Sequence, residues 1–119
     1  MAEKNLSHFA VIFGVANPEE AATWYQDKLG FEITFKWGDP VEYVVTNREK
    51  SVSIHFSKTD KEMKNSIYVF CYDVDKVYEE LKTRGLEKMG VPEDQEYQMR
   101  DFEVRDPYGN QIVFGTGSD

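Results

Sequence analysis

The sequence predicts an α+β fold built from two βαβββ modules in a single domain. Three observations carry this. A strand followed by a capped helix occurs twice, 56 positions apart, so that Ala10 falls on Ser66, Phe13 on Val69 and Asn17 on Asp73. After each helix come further strand candidates separated by turn sequences. No linker long enough to separate domains interrupts the 119 residues, so one module is expected over 1–60 and the other over 61–119.

The first strand is expected in "HFAVIFG". Phe9, Val11 and Phe13 form its bulky face and should pack under a helix, with His8, Ala10, Ile12 and Gly14 opposite. In "ANPEEAATWYQDKLG", Asn17 is the cap, Pro18 suits the first turn and Glu20 completes a capping-box pattern. Ala21, Trp24, Tyr25 and Leu29 share one helix face, and Gly30 offers a left-handed stop. The strands "FEITFKW", "VEYVVT" and "SVSIHFS" follow, divided by "GDP" and "NREK". In the last of them Val52, Ile54 and Phe56 turn inward, leaving Ser53, His55 and Ser57 on the other face.

The second half repeats the scheme. In "SIYVFCY", Ile67, Val69 and Cys71 face the helix, and Ser66, Tyr68, Phe70 and Tyr72 lie opposite. Asp73 caps the second helix, Val74, Val77, Tyr78 and Leu81 form its apolar stripe, and Gly85 ends it. A short strand is expected near Leu86 to Met89, ahead of the loop "GVPEDQE". Two strands, "YQMRDFEVR" and "NQIVF", close the chain. Asp106, Pro107 and Gly109 occupy the first, second and fourth places of the turn between them, the type I preference. Phe102, Val104, Ile112 and Phe114 belong to the core, while Asp101, Glu103, Gln111 and Val113 share the opposite face.

A formal net charge of -8 argues against sequence-independent nucleic-acid binding, which needs a basic surface, and draws cationic small molecules instead. No apolar run approaches the roughly 20 residues of a membrane span, and "MAEKNLSHFAVIF" lacks the features of a signal peptide. A cytoplasmic protein without membrane or nucleic-acid partners is the expectation. Cys71 is the sole cysteine, so no internal disulfide forms, and its apolar setting marks a core thiol. If the helix-free faces wrap one cavity, His8, His55, Ser66, Tyr68, Asp101, Glu103, Gln111 and Val113 line it, which is a small, aromatic and acidic surface.

Over nearly its whole length the chain resembles the vicinal oxygen chelate superfamily of glyoxalases, bleomycin-resistance proteins, fosfomycin-resistance transferases and ring-cleaving dioxygenases. The resemblance rests on "ANPEEAATWYQDKLGFEITF", "DVDKVYEELKTRG" and "MRDFEVRDPYGNQIVF". It implies paired modules whose strands curl around a cleft, usually in a homodimer, with a divalent metal in the family's enzymes. The family's histidine positions on the first and fifth strands are Ala10 and Ser66 here, and its last-strand glutamate position is Val113. None is an imidazole or carboxylate, and His55, near a ligand position of some glyoxalases, cannot hold a catalytic metal alone. No cofactor is therefore expected.

Within the superfamily the resemblance is nearest to the bleomycin-resistance group, through "GDPVEYVVTNREKSVSIHF", "VPEDQEYQMRDFEVRDPYGN" and the lost ligands. It implies a non-catalytic, metal-free protein that sequesters a cationic antibiotic or similar ligand in a dimer crevice. Stacking is expected from Phe35, Trp37, Tyr43 or Tyr68, and attraction from Asp101 and Glu103. His55, Gln111 and Val113 complete the expected lining. Gln98 departs from the group, which carries a glycine there. The alternative is a metal-dependent lyase, isomerase or dioxygenase whose displaced site gathers His8, His55 and Glu103. A metal-free enzyme with Glu103 as base, or a protein whose cleft only forms a dimer, are the remaining readings.

Overall fold

The computed structural model describes residues 3–61 and 63–117, so the outer bounds expected for the modules, Met1 and Asp119, lie outside the described residues. The first module comprises β1 (Val11–Val15), α1 (Pro18–Leu29), β2 (Glu32–Trp37), β3 (Tyr43–Arg48) and β4 (Val52–Lys58). The second comprises β5 (Ser66–Phe70), α2 (Val74–Thr83), β6 (Glu93–Asp94), β7 (Met99–Arg105) and β8 (Gln111–Gly117). Each builds a four-stranded sheet, ordered β1-β4-β3-β2 and β5-β8-β7-β6. The first strand of each module runs parallel to the last, and the other pairings are antiparallel.

The helices start where local chemistry starts them. The Asn17 side chain accepts the Glu20 backbone N–H at 3.1 Å, and Asp73 does the same for Lys76 at 3.2 Å. Such caps contribute about 1 kcal/mol each. Gly30 stops α1 at φ 73°, a conformation in which a Cβ would be crowded and which a glycine adopts freely.

One core serves both modules. Phe13, Tyr25, Leu29, Val44, Ile54 and Phe56 are buried with Leu81, Phe102, Val104, Ile112 and Phe114 in a single cluster. Polar ties cross the seam as well. Tyr25 Oη donates to Asp106 at 2.5 Å, Arg48 reaches Glu80 at 2.5 Å, and Arg84 Nη1 donates to the Asp27 carbonyl at 3.4 Å. Asp106 also accepts the backbone N–H groups of Tyr108 and Asn110 and the Asn110 amide, which fixes the β7–β8 turn. The helix-covered sides of both sheets thus form the core, and the other sides carry no helix.

Two features differ from the sequence expectation, and a third lies beyond it. The first strand begins at Val11, not His8, and Phe9 is 85% exposed instead of packed under α1. β4 is the neighbour of β1 and begins at Val52, so the residues before Val11 come at or beyond the end of the ladder. The piece from Leu86 to Met89 forms only a single bridge, Met89 to Val104, because Leu86 folds back onto the end of α2 and its N–H bonds Leu81. The edge strand is instead β6, inside the expected loop, paired with Arg100 and Asp101. Finally, β2 carries a bulge between Ile33 and Phe35. Ile33 pairs with Thr46 on the helix side, yet the extra residue, Thr34, moves Phe35 and Trp37 to the helix-free side.

Among the described residues no helix is long and apolar enough to cross a membrane.

Candidate functional site

Paired residues on neighbouring strands point to one side, so register defines each helix-free face. On the first sheet Trp37 lies opposite Tyr43, Phe35 opposite Val45, and His55 between Val45 and Ile12. Ile12 and Phe35 are 54% exposed and Trp37 59%, a large apolar surface left to solvent. Phe35, Trp37, Tyr43 and Ser57 border a shallow groove flanked by Glu42 and Lys58. The Tyr43 hydroxyl and His55 Nδ1 are hydrogen-bonded at 2.7 Å, with the rings edge-to-face.

The second face is polar and networked. Tyr68, Val113 and Glu103 form one row across the sheet, and Phe70, Gly115 and Asp101 the next. Ser66 donates to Gln111 at 2.9 Å, Gln111 donates to Glu103, and Arg105 pairs with Glu103 at 3.3 Å. Asp101 is only 6% exposed. Its Oδ2 accepts Tyr68 Oη at 2.9 Å and Tyr97 Oη at 2.6 Å, and its Oδ1 accepts Gln95 Nε2 at 3.0 Å. Desolvation of the anion and the bond to Asp101 push the Tyr68 phenol up, and the bond to Asp101 is the main cause of the rise at Tyr97.

The expected site residues fall into two groups. Phe35, Trp37, Tyr43 and His55 share the first face; Tyr68, Asp101, Glu103, Gln111 and Val113 share the second. Within one chain these residues thus lie on two sheets, and Ser53 of the first and Tyr68 and Phe70 of the second border a common concavity. Among the described residues no hydrogen bond or aromatic contact joins one face to the other. His8 belongs to neither: it is exposed before β1 and bonded to Ser7. Sequence reasoning missed Gln95, Tyr97 and Gly115. Only the glycine left a signal, since a mid-strand glycine marks a close approach. A Cβ on Gly115 would fall 2.7 Å from Cζ of Tyr68, which crosses that strand to reach Asp101.

The residues present do not fit the divalent metal of the family's enzymes. Ser66 is held by Gln111, and Val113 offers no donor between Tyr68 and Glu103. His8, His55 and Glu103, the donors of a displaced site, are bonded to Ser7, Tyr43 and Gln111 respectively. Among the described residues no group of three or more His, Cys, Asp or Glu side chains is placed to hold a metal. A further concavity at the seam, of about 410 Å³, is lined by Phe31, Arg48, Val69, Cys71 and Phe114. Its cation is already used by Glu80 and the Leu29 carbonyl, and burial raises the Cys71 thiol above its ordinary range.

The sequence model of the Glyoxalase/Bleomycin resistance protein/Dioxygenase superfamily matches residues 5–114. A search of curated proteins finds no match. Among solved structures, the fold is similar to that of a bleomycin-binding protein from Streptomyces verticillus complexed with copper(II)-bleomycin. That likeness has a TM-score of 0.78 at 22% identity, covering 98% of this chain and 100% of the other. A glyoxalase-related enzyme from Clostridium phytofermentans superposes with a TM-score of 0.81 at 12% identity, covering 96% and 97%. A bleomycin resistance determinant encoded on the transposon Tn5 gives 0.78 at 16% identity, covering 94% and 98%. At these identities the likeness concerns the fold.

Proposed function

The chain belongs to the Glyoxalase/Bleomycin resistance protein/Dioxygenase superfamily, and we propose that it is a non-catalytic binding protein for a cationic, aromatic-containing small molecule of the bleomycin type. The observation that carries this reading is the pair of helix-free faces, one an exposed aromatic shelf and the other a carboxylate-bearing surface. Phe35 and Trp37 offer ring faces to a planar group, and Glu103, which is only half-buried, offers charge to an ammonium or guanidinium. The similar folds of bleomycin-binding and bleomycin-resistance proteins add support.

The two faces lie apart in one chain, so the reading includes a homodimer in which each crevice takes the shelf of one copy and the acidic face of the other. Exposed Ile12, Phe70 and Tyr72, at or just beyond the free edges β1 and β5, are the surface a second copy would cover. The reading gives no role to a metal, since the family's ligand positions are Ala10, Ser66 and Val113 here.

Calorimetric titration with metal-free and copper(II)-loaded bleomycin, alongside sedimentation analysis, tests the proposal. Saturable heat and a dimer are expected. A monomer that gives neither heat nor a thermal shift with either form would sink it.

A further inference from the structure

We propose that Asp101 is a positioning residue whose carboxylate latches the turn at residues 95–98 onto the second sheet, leaving Glu103 as the group that meets a cation. The assignment rests on the binding role proposed above, but the latch itself is a property of the free protein.

Asp101 and Glu103 sit two residues apart on one face of β7 and look interchangeable in the sequence. Their surroundings separate them. Asp101 is 6% exposed, and both of its oxygens are taken by neutral donors, two phenols and an amide. A cation would have to displace these donors to reach it. The Glu103 side chain is 46% exposed, and its Arg105 partner is 64% exposed, an ion pair that solvent screens and a ligand can replace.

The donors on Asp101 come from both sides of the face. Tyr68 reaches it from β5 by lying across Gly115, where no Cβ blocks the ring. Gln95 and Tyr97 reach it from the segment between β6 and β7. That segment is a tight turn, closed by Gln95 N–H to the Met99 carbonyl at 2.7 Å and Gln98 N–H to the Gln95 carbonyl at 3.2 Å. Gln98 stands there at φ 65°, a left-handed conformation that is strained for a non-glycine residue. Such strain persists only where the surroundings over-determine it. Glu96, Tyr97 and Gln98 are all exposed, so apolar burial does not hold the turn. The two side-chain bonds to Asp101 do. Through them the Tyr97 ring is fixed as a lip beside the acidic face.

Amide hydrogen exchange of the ligand-free protein tests the latch. In Asp101→Asn the Gln95 and Gln98 amides should exchange at least tenfold faster, with Phe102 and Val104 unchanged. Tyr97→Phe, at an exposed position, should accelerate the same two amides several-fold without threatening the fold. Glu103→Gln should leave them as they are. In an NMR titration of the Tyr97 ring, the phenol of Asp101→Asn should return towards its ordinary value, as loss of the hydrogen bond to Asp101 requires. Unchanged turn amides in the first two variants, or equal acceleration in Glu103→Gln, overturns the proposal.

The binding arm uses copper(II)-bleomycin. Glu103→Gln should flatten the salt dependence of its affinity, whereas Asp101→Asn should weaken binding and keep that dependence. Equal flattening by both would make Asp101 a counter-ion and overturn the latch. Absence of binding by the unmodified chain counts against the binding role alone, since exchange still decides the latch.

Discussion

At equivalent points of the two sheets, Tyr43 stands where the second module has Asp101, Val45 where it has Glu103, and His55 where it has Val113. Ile12 and Ser57 correspond in the same way to Tyr68 and Gly115. The helix-covered positions behave differently: Phe13 and Val69, Ile54 and Ile112, and Phe56 and Phe114 keep their apolar character. Packing against a helix constrains one side of each sheet, while the other side is free to diverge residue by residue. One module has used that freedom for aromatic surface, and the other for a hydrogen-bonded carboxylate network.

The largest expected effect tests whether that network is built into the second face. Gly115→Ala forces Tyr68 off Asp101 and should cost about 2 kcal/mol in urea unfolding, the range for overpacking combined with a lost buried bond. Ser57→Ala, at the matching point of the first sheet, should stay within about 0.5 kcal/mol. Equal losses would mean that the faces are not differently built.

Trp37→Ala sharpens the contrast from the other side. Its stability should change by no more than about 0.5 kcal/mol, while affinity for copper(II)-bleomycin falls about tenfold, or roughly 1.4 kcal/mol. A stability loss as large as that of Gly115→Ala would make the shelf structural.

Glu80 asks whether both faces ride on one cooperative body. Burial alone would raise its carboxyl, but hydrogen bonds from Arg48 of the first module and Arg84 outweigh this and hold it below its ordinary range. A depressed folded value adds stability above the unfolded one, about 4.3, and that stability is lost as pH falls through the folded value. Glu80→Gln should therefore be less stable than the parent at pH 7 by up to about 1 kcal/mol, after solvent screening, with the gap closing in acid. Unfolding curves of both proteins at a series of pH values check this, and each should show one transition.

The smallest effect concerns Gln98. Gln98→Gly relieves the left-handed backbone but adds freedom to the unfolded chain, for a net gain of roughly a few tenths of a kcal/mol in thermal unfolding. A loss would mean that the glutamine side chain contributes to the second face.

Much of this was legible in the sequence because it is local. Asn17, Pro18, Glu20, Asp73 and Gly30 announce the helix ends, and strict alternation sorts Ile54 from His55 and Phe102 from Glu103. The start of β1 was not legible, because it depends on where a partner strand 43 positions away stops, as the register of Val11 with Ile54 shows. β6 was not, because a two-residue strand has no periodicity. The difference between Asp101 and Glu103 was hidden for a related reason. It arises from Tyr68, Tyr97 and Gln95, which only the folded turn and the bare backbone of Gly115 bring together.

The bulge in β2 has a reach beyond its size. One extra residue changes the parity of a strand, so everything after Thr34 reads on the opposite side from everything before it. Straightening the strand at constant length would turn Phe35 and Trp37 toward α1 and put Lys36 out on the shelf, whereas deleting Thr34 would leave Phe35 opposite Val45 and Trp37 opposite Tyr43. The segment Glu32–Trp37 thus carries two messages in one short word, Ile33 turned to the helix side before the inserted letter and Phe35 and Trp37 turned to the open side after it. A lineage could therefore shed the inserted residue and keep this aromatic surface, because Phe35 and Trp37 hold their places through register with Val45 and Tyr43.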